Sequence, residues 1–278
     1  MKLIGYRSEG VRHIGRLEGK LVEPIATTAD FYDKPELMLK QATKRAAVAL
    51  SQMEVVPFVP ETSRVFCVGI NYLAHGDEAS RTAGIELPKF PMVFGRWEST
   101  LVVAGTPVPV PPNEQGLDWE VELAAVIGTP AFAVDEADAL DHVLGYTGFN
   151  DLSARRKQTE TMQFTLGKNA DRSGPIGPVL VTPDELPEPA NLRLRTRVNG
   201  EVVQDGNTGD MIHSLAKIIA YISDTVTLLP GDVIATGTPA GVGASMTPPR
   251  LLNDGDSVEI EVEHIGVLHN PIVSHTHR

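Results

Sequence analysis

The sequence is poor in cysteine and has no long apolar run. A single cysteine, Cys67, occurs among the 278 residues, so an internal disulfide and a zinc site built from cysteines are both excluded. Cys67 lies among Val65, Phe66 and Val68, a setting typical of a buried small hydrophobic side chain. No stretch reaches the roughly 18 consecutive apolar residues of a membrane-spanning helix, and the first residues soon become charged. We therefore expect neither a membrane span nor a signal peptide, and a cytoplasmic location.

Basic residues are also scarce relative to acidic ones. The chain has 24 lysines and arginines against 36 aspartates and glutamates, a formal net charge of -12 at pH 7. This balance disfavours nucleic acid as a partner, and an anionic substrate would need local cationic residues. The glycine pattern of dinucleotide-binding folds, the lysine-containing phosphate loop and the H-E-x-x-H zinc motif are absent as well. Nucleotide binding and zinc proteolysis are therefore not supported.

The chain does have enough apolar residues for a substantial core, at 42% of 278 residues. In the first sixty residues, short strand-like segments lead into residues 35–50, which are rich in helix-forming residues. Pro57 and Pro60 then indicate a linker. Strand-like runs dominate after this linker and cover residues 65–70, 91–94, 119–127, 179–182, 192–198, 202–204, 232–236 and 257–262.

Helical patterns are few in this second part of the chain. One covers residues 137–143, and an amphipathic one covers residues 211–222, with Asp210 as its expected N-cap. Asn199-Gly200 predicts a type I′ hairpin turn, because both residues tolerate positive φ. We therefore expect an α+β protein built around a dominant mixed sheet or β-roll, preceded by a small N-terminal region.

An acidic run provides the first indication of chemistry. Asp118, Glu120 and Glu122 recur at every second position, so on a strand all three would project from one face. Three carboxylates on one face repel each other unless a cation lies among them, and oxygen-only ligands favour Mg²⁺, Mn²⁺ or Ca²⁺. A strand face exposed to water would show the same pattern, so both interpretations stand at this point.

Three further features of the sequence could take part in binding a metal ion or a substrate. Asp151 follows an apolar segment, residues 143–150, and is either a third metal ligand or a helix N-cap. Lys168 follows a glycine and could neutralise an anionic substrate or a developing enolate, or simply face water. The glycine-punctuated loop of residues 236–243 could approach a ligand with its backbone N–H groups and the hydroxyl of Thr238.

His75 and Glu78 are spaced for contact on a helix. A separation of three residues places them side by side, so Glu78 could orient the imidazole and raise its basicity. Histidine changes charge near neutral pH, which suits it to proton transfer. The alternative is a surface ion pair of little consequence.

Taken together, these motifs resemble the fumarylacetoacetate hydrolase family, and they occur in the order expected for it. The similarity covers roughly residues 64–273 and rests on the segments 68–78, 118–123, 150–155, 167–168, 198–208 and 230–243. The resemblance implies a β-roll of mixed sheets, with residues 1–60 as a small, variable N-terminal α+β region and residues 64–278 as the catalytic domain. It also implies a homodimer.

The resemblance also assigns roles to individual residues. Glu120, Glu122 and Asp151 match the carboxylate ligands of Mg²⁺ or Mn²⁺, for which Ca²⁺ can substitute, while Asp118 looks like an outer neighbour. His75 and Glu78 match a pair on a mobile segment, residues 75–82, that closes over the site and activates water. Lys168 matches a lysine that holds the substrate's oxygens. The positions that match contacts to the bound acid are Arg155, Gln158 and Thr238.

The activity implied first is metal-dependent hydrolysis of a carbon–carbon bond in an acylpyruvate or related β-diketo acid. The alternative is a decarboxylase, isomerase or hydratase that acts on a small 2-oxo acid through the same metal-stabilised enolate. A catalytically silent binding protein is a third possibility. Two departures from the family pattern put the substrate in doubt: Arg96-Trp97 stands where many members have Lys-Pro, and residues 169–173, which include Arg172, replace a stretch that often holds an aromatic residue.

Overall fold

The computed structural model of the protein describes residues 1–41, 46–83, 87, 89–186 and 188–275. Within them the strands are β1 (Lys2–Ser8), β2 (Val11–Glu18), β3 (Leu21–Thr27), β4 (Val48–Ala49), β5 (Glu54–Val56), β6 (Arg64–Gly69), β7 (Met92–Trp97), β8 (Leu101–Val102), β9 (Val108–Val110), β10 (Val121–Ile127), β11 (Val143–Asn150), β12 (Gly174–Val181), β13 (Arg193–Val198), β14 (Glu201–Asn207), β15 (Val233–Ala235), β16 (Ser257–Val262) and β17 (Gly266–Ser274). The helices are α1 (Thr28–Asp33), α2 (Pro35–Gln41), α3 (Leu73–Ala83), α4 (Arg155–Thr159), α5 (Thr165–Lys168) and α6 (Leu215–Ser223).

The strands form two mixed sheets. The larger has the order β4-β3-β2-β1-β12-β11-β10-β15-β6-β7, with β5 on β1 and β8 on β12, and the smaller has the order β14-β13-β16-β17-β9. Most neighbours are antiparallel, but β6 runs parallel to β15, and β9 parallel to β17. The expectation of an α+β fold dominated by mixed sheet is confirmed. No helix in the described part of the chain is long and apolar enough to cross a membrane.

The N-terminal strands continue the larger sheet. β1 pairs antiparallel with β12, where Leu3 lies opposite Leu180, and β2 and β3 follow outward from it. Leu3 and Leu180 also belong to one hydrophobic cluster, together with Phe31 of the first helix. The N-terminal strands therefore extend the same sheet that contains β10 and β11. The proposed division near residues 60–64 stays a prediction.

The centre of the larger sheet is buried on both faces. Every residue of β10 and of β11 is buried, which explains why these segments are apolar runs rather than alternating ones. On one face, Leu123 packs in a cluster with Ile260 of the smaller sheet and Ile218 of α6. Each such side chain contributes about 1.5–3 kcal/mol when fully buried. This rigid centre is the platform for the polar groups at the ends of the strands.

Several of the predicted elements are confirmed and others are displaced. The strands near residues 65–70 and at 257–262 are present, and Asn199 and Gly200 both have positive φ, 52° and 84°, in the turn between β13 and β14. Where a helix was expected at residues 137–143, the chain forms a short 3-10 turn, Ala139–His142, before β11 starts.

Two helix predictions were too long. The helix expected from residue 211 begins at Leu215, and its N-cap is Ser214, whose side chain accepts a hydrogen bond from the N–H of Lys217. Asp210 instead ends a 3-10 turn. The helix expected over residues 35–50 is present as α2, and Val48–Ala49 is a strand; residues 42–45 lie outside the described part of the chain.

Candidate active site

Three buried carboxylates meet where two central strands are joined. β10 and β11 are antiparallel, with Val121 opposite Asn150, so the start of one strand lies beside the end of the other. This register brings Glu120 and Glu122 next to Asp151, and carboxylate oxygens from all three lie within 4.8 Å of one another. Asp151 is not a helix cap, because α4 begins at Arg155 without a side-chain cap.

Asp118 does not belong to this carboxylate cluster and instead binds the backbone of the glycine-rich loop. β10 starts only at Val121, so the acidic run does not lie on one regular strand as the alternating pattern suggested. The Asp118 carboxylate accepts hydrogen bonds from the N–H groups of Gly243 and Ala244, at 2.7 and 3.0 Å, and pairs with Arg155 at 2.8 Å. It therefore fixes the glycine-rich loop over the site, which agrees with its expected place as an outer neighbour.

Two predicted cationic residues lie against the carboxylates. Lys168 Nζ is 2.7 Å from Glu120 Oε2 and 2.8 Å from Asp151 Oδ2, and Arg155 Nη2 is 2.6 Å from Glu120 Oε1. Burial alone would raise the pKa of Glu120, but the charges of Lys168 and Arg155 outweigh it and lower that pKa to about 2. Burial would lower the pKa of Lys168, yet the charges of Asp151 and Glu120 raise it above its ordinary value. Lys168 therefore remains an ammonium ion.

Arg96 is a part of the site that sequence reasoning did not assign. Its side chain is fully buried, and its Nε and Nη2 donate to Asp151 Oδ1 at 2.9 and 2.5 Å. Nη1 donates to Ser173 Oγ at 2.8 Å, and Nη2 also donates to the carbonyl of Leu152 at 3.0 Å. Asp151 is thus held by Arg96 on one oxygen and Lys168 on the other. The available signal was an arginine within the otherwise uncharged strand β7.

The other residues at the unusual positions lie away from the chemistry. Trp97 is 52% exposed, and its backbone N–H donates to Asn169 Oδ1 at 2.6 Å. Arg172 is exposed and adopts a left-handed φ of 58°. Of these three residues, only Arg96 reaches the carboxylates, and it is not part of the cavity wall.

Glu122 is the carboxylate left without a cationic partner in the described part of the chain. Its Oε2 accepts a hydrogen bond from the N–H of Gly237 at 2.9 Å. Burial and the negative charges of Asp151 and Glu120 raise its pKa well above the ordinary range. Such a carboxyl either keeps a proton or shares a cation with its neighbours. A compact set of oxygen ligands with one unbalanced charge fits Mg²⁺ or Mn²⁺.

The predicted histidine–glutamate pair is formed on α3. His75 Nδ1 lies 3.4 Å from Glu78 Oε2, and their side chains are only 12% and 14% exposed, so this is not a surface ion pair. Glu78 also accepts the N–H of Gly241 at 3.0 Å. Burial would raise the pKa of Glu78, but His75 and this backbone N–H lower it below the ordinary value. The side chains of residues 79, 81 and 82 lie outside the described part, and closure of this segment stays a prediction.

One cavity of about 490 Å³ collects most of the predicted site residues. The predicted residues along its wall are His75, Glu78, Glu120, Arg155, Gln158, Lys168 and Thr238. Glu122 and Asp151 are not part of the cavity wall, but they belong to the same carboxylate cluster as Glu120. The cavity therefore joins a candidate metal centre to a pair suited to proton transfer and to a buried ammonium ion.

Two buried amides missed from the sequence support the glycine-rich loop. Gln204 Nε2 donates to Thr238 Oγ1 at 2.9 Å, while its Oε1 accepts the N–H of Val121 at 3.2 Å. Asn71 Nδ2 donates to the carbonyl of Thr236 at 2.7 Å. Each amide ties the loop to another element. A polar residue inside an otherwise apolar segment is a weak sequence signal, because many such residues face water.

Comparisons with known proteins agree with the geometry. The family model described as fumarylacetoacetate (FAA) hydrolase C-terminal matches residues 64–273. The human protein oxaloacetate tautomerase FAHD2A, mitochondrial, is 42% identical over 254 residues, which cover 89% of this chain and 80% of that protein. Oxaloacetate tautomerase YisK of Bacillus subtilis is 39% identical, covering 92% and 87%. The crystal structure of 2-hydroxyhepta-2,4-diene-1,7-dioate isomerase from Mycobacterium marinum is similar with a TM-score of 0.82 and 35% identity, covering 100% of both chains.

Proposed function

The chain belongs to the fumarylacetoacetate hydrolase family, and from this premise we propose that it interconverts the enol and keto forms of a small 2-oxo acid with the help of a divalent metal ion. The relatives of about 40% identity that are named oxaloacetate tautomerases support this reaction and make oxaloacetate the first substrate to test. The structural observation that carries the proposal is the buried carboxylate cluster beside Lys168, which opens into the same cavity as His75 and Glu78. Tautomerisation is therefore our leading proposal, ahead of the hydrolysis that the resemblance implied first.

The residues that would hold the metal ion are Glu120, Glu122 and Asp151. Their fit rests on the donor set, which is three close carboxylates, and on the raised pKa of Glu122. When bound, a divalent ion there would polarise the oxygens of a 2-oxo acid and stabilise negative charge on its enolate. Arg96 and Lys168 hold the two oxygens of Asp151 and so limit its movement. The cluster is thereby preorganised in the folded chain.

The proton transfers fall to the histidine pair. In ketonisation the enol hydroxyl at C2 loses its proton, the C2–O bond becomes a carbonyl, and C3 gains a proton. We assign the proton exchange to His75, because its imidazole lines the cavity and Glu78 can orient the ring through Nδ1. Lys168 remains charged and so stabilises the enolate oxygen instead of acting as a base.

Hydrolysis is the second candidate, and the same pair favours it. An imidazole oriented by a carboxylate can also deprotonate a water molecule that attacks the C4 carbonyl of an acylpyruvate. Cleavage between C3 and C4 then releases the enolate of pyruvate. Because both reactions pass through an enolate, the same site residues could serve either one. The products that form are what distinguishes tautomerisation from hydrolysis.

The deciding experiment follows two substrates, oxaloacetate and acetylpyruvate, in the presence of Mg²⁺. Freshly dissolved enol-oxaloacetate should lose its enol absorbance faster with the protein than without it. NMR should then show the same equilibrium mixture of enol and keto forms that the uncatalysed reaction reaches, with no cleavage product. Acetylpyruvate cleaved to pyruvate and acetate would instead favour the hydrolase, and CO₂ release would favour a decarboxylase. His75→Ala should reduce the acceleration by roughly 10²-fold to 10⁴-fold, whereas His13→Ala, which alters a histidine stacked on Tyr6 outside the cavity, should preserve it. An uncatalysed rate with every 2-oxo acid would refute the proposal.

Assembly and location stay predictions. We propose a homodimer, which light scattering coupled to size-exclusion chromatography would test. The human relative is named mitochondrial, so the expected cytoplasmic location needs its own test by fractionation. A small anionic keto acid remains the expected partner, in agreement with the names of the relatives.

A further inference from the structure

The cavity has an apolar end as well as an ionic end. Phe94 and Phe164 form an edge-to-face pair with ring centroids 5.7 Å apart and an interplanar angle of 77°. A Cβ atom placed on Gly69 would lie 3.4 Å from Met92 Sδ and 3.5 Å from the Phe164 ring, so these side chains surround one point on the wall. Met162 lines the same cavity yet is 95% exposed. The apolar end is therefore defined by Gly69, Met92, Phe94, Met162 and Phe164.

The two ends are adjacent. Lys168 Nζ lies 5.4 Å from the centroid of the Phe94 ring, and the same ammonium group contacts Glu120 and Asp151. A substrate whose oxygens are held beside Lys168 would therefore have the ring of Phe94 within reach of its next carbon atoms. The apolar end is thus close enough to accept the C3 substituent of a bound 2-oxo acid.

The cavity is larger than a four-carbon acid requires. At the roughly 30 Å³ that a water molecule occupies in the liquid, the nine non-hydrogen atoms of oxaloacetate would fill only about half of the 490 Å³. Bonded atoms pack more closely than water molecules, so the true share is smaller. Part of the remaining space borders apolar side chains, and there an apolar group is favoured over additional water.

Charge also argues against a second carboxylate at the apolar end. Among the described residues that line the cavity, the permanent cations are Arg155 and Lys168. Arg155 is already paired with Asp118 and Glu120, and Lys168 with Glu120 and Asp151. A carboxylate placed against Phe94 and Phe164 would lose hydration without gaining an ion pair.

From these observations we propose that the preferred substrate is a 2-oxo acid with an apolar, best an aromatic, substituent at C3, which packs against Phe94, Phe164 and Met162. The proposal rests on the proposed function, because it specifies the substrate class of the same site. An aromatic ring would meet the edge or face of Phe94 and Phe164 and the polarisable sulfur atoms of Met92 and Met162.

The test compares two acids that share the 2-oxo acid head and differ at C3. Oxaloacetate carries a carboxylate there, and phenylpyruvate carries a phenyl ring. We expect the KM for enol-phenylpyruvate to be lower by about tenfold or more, since apolar groups in a fitting pocket are discriminated by roughly 10-fold to 200-fold. The dissociation constants of both acids, measured calorimetrically with Mg²⁺ present, should follow the same order.

Variants assign the preference to the apolar end. Phe164→Ser should raise the KM for phenylpyruvate about tenfold and leave that for oxaloacetate nearly unchanged. Met162→Gln should also raise the KM for phenylpyruvate relative to that for oxaloacetate, by a smaller factor. Because Met162 is exposed, this substitution should leave the fold intact. Phe132→Ser is the matched control, because Phe132 is 61% exposed and does not line the cavity.

The outcomes separate this proposal from the proposed function. Turnover of both acids with equal KM values, or with oxaloacetate preferred, would overturn the apolar subsite and leave the tautomerase intact. Turnover of neither acid would refute the tautomerase, and the calorimetric comparison would still decide the subsite. If calorimetry showed equal dissociation constants for both acids, and Phe164→Ser left them unchanged, the apolar subsite would be overturned in that case as well.

Discussion

The clearest quantitative consequence of the site concerns Glu122. Its carboxyl group is buried, lies within 4.8 Å of two other carboxylates and has a raised pKa. Glu122→Gln keeps the shape and retains an oxygen that can accept the N–H of Gly237, but it removes the charge. We expect the variant to be more stable than the parent protein when no metal is present, and to lose the stabilisation by Mg²⁺.

The magnitude follows from proton linkage. A carboxyl that stays protonated in the folded protein but ionises in the unfolded chain destabilises the fold by about 1.4 kcal/mol for each pH unit above its ordinary pKa. From the ordinary value of 4.5 for Glu122, this cost has a ceiling of about 3 kcal/mol at pH 7. The sign is that of a raised pKa: the folded state binds more protons, so stability falls as pH rises from 4.5 toward the raised value. The difference between the two proteins should vanish below pH 4.5.

Urea denaturation in EDTA at pH 4.5 and pH 7 measures this difference directly. The free energy of unfolding of Glu122→Gln should exceed that of the parent by up to about 3 kcal/mol at pH 7. With saturating Mg²⁺ the order should reverse, because a ligand that binds only the folded state stabilises it. A variant that is less stable in EDTA at pH 7, or that Mg²⁺ stabilises as much as the parent, would refute the electrostatic reasoning.

Three further predictions concern the remaining parts of the molecule. Arg96→Gln should weaken Mg²⁺ binding by about 10-fold to 100-fold in calorimetry, because it frees one oxygen of Asp151, whereas Arg193→Gln at an exposed ion pair should not. His75→Ala should reduce turnover by roughly 10²-fold to 10⁴-fold yet preserve Mg²⁺ binding, and near-normal turnover would contradict its role in proton transfer. Ile218→Ala should lower the free energy of unfolding by about 2–5 kcal/mol in urea denaturation, and a loss below 1 kcal/mol would contradict its tight burial between helix and sheet.

Local sequence patterns predicted the parts of the fold that depend on local chemistry. The turn at Asn199-Gly200 was predictable because its backbone angles suit these residues. The start of α6 was not, since Asp210 and Ser214 are both good caps. Which of the two residues caps the helix depends on Asn71. Its side-chain amide donates a hydrogen bond to the carbonyl of His213 and accepts one from the N–H of His213, which holds the residues before Ser214 outside the helix. That contact joins positions 142 residues apart.

In the site, too, the features that depend on contacts between distant parts of the chain could not be predicted from local sequence. Glu120, Glu122 and Asp151 were identified through a resemblance in sequence order, and the antiparallel register of β10 and β11 supplies the physical reason for their proximity. Arg96 had no comparable signal, because its strand, β7, reaches the site only through pairing with β6 at the edge of the sheet. A local pattern carries no information about that pairing.

Charge balance, more than the number of carboxylates, then determines what the site can bind. Had the carboxylates lacked basic partners, their mutual repulsion would keep several of them protonated. Instead, Lys168 and the nearby arginines compensate Glu120 and Asp151 and leave Glu122 with its charge unbalanced. Among the residues that the structure describes, no cationic side chain pairs with this third carboxylate of a preorganised oxygen cluster, and that is the physical argument for a resident cation. It follows that a substitution which adds a positive charge beside Glu122 should weaken Mg²⁺ binding even if no carboxylate is altered.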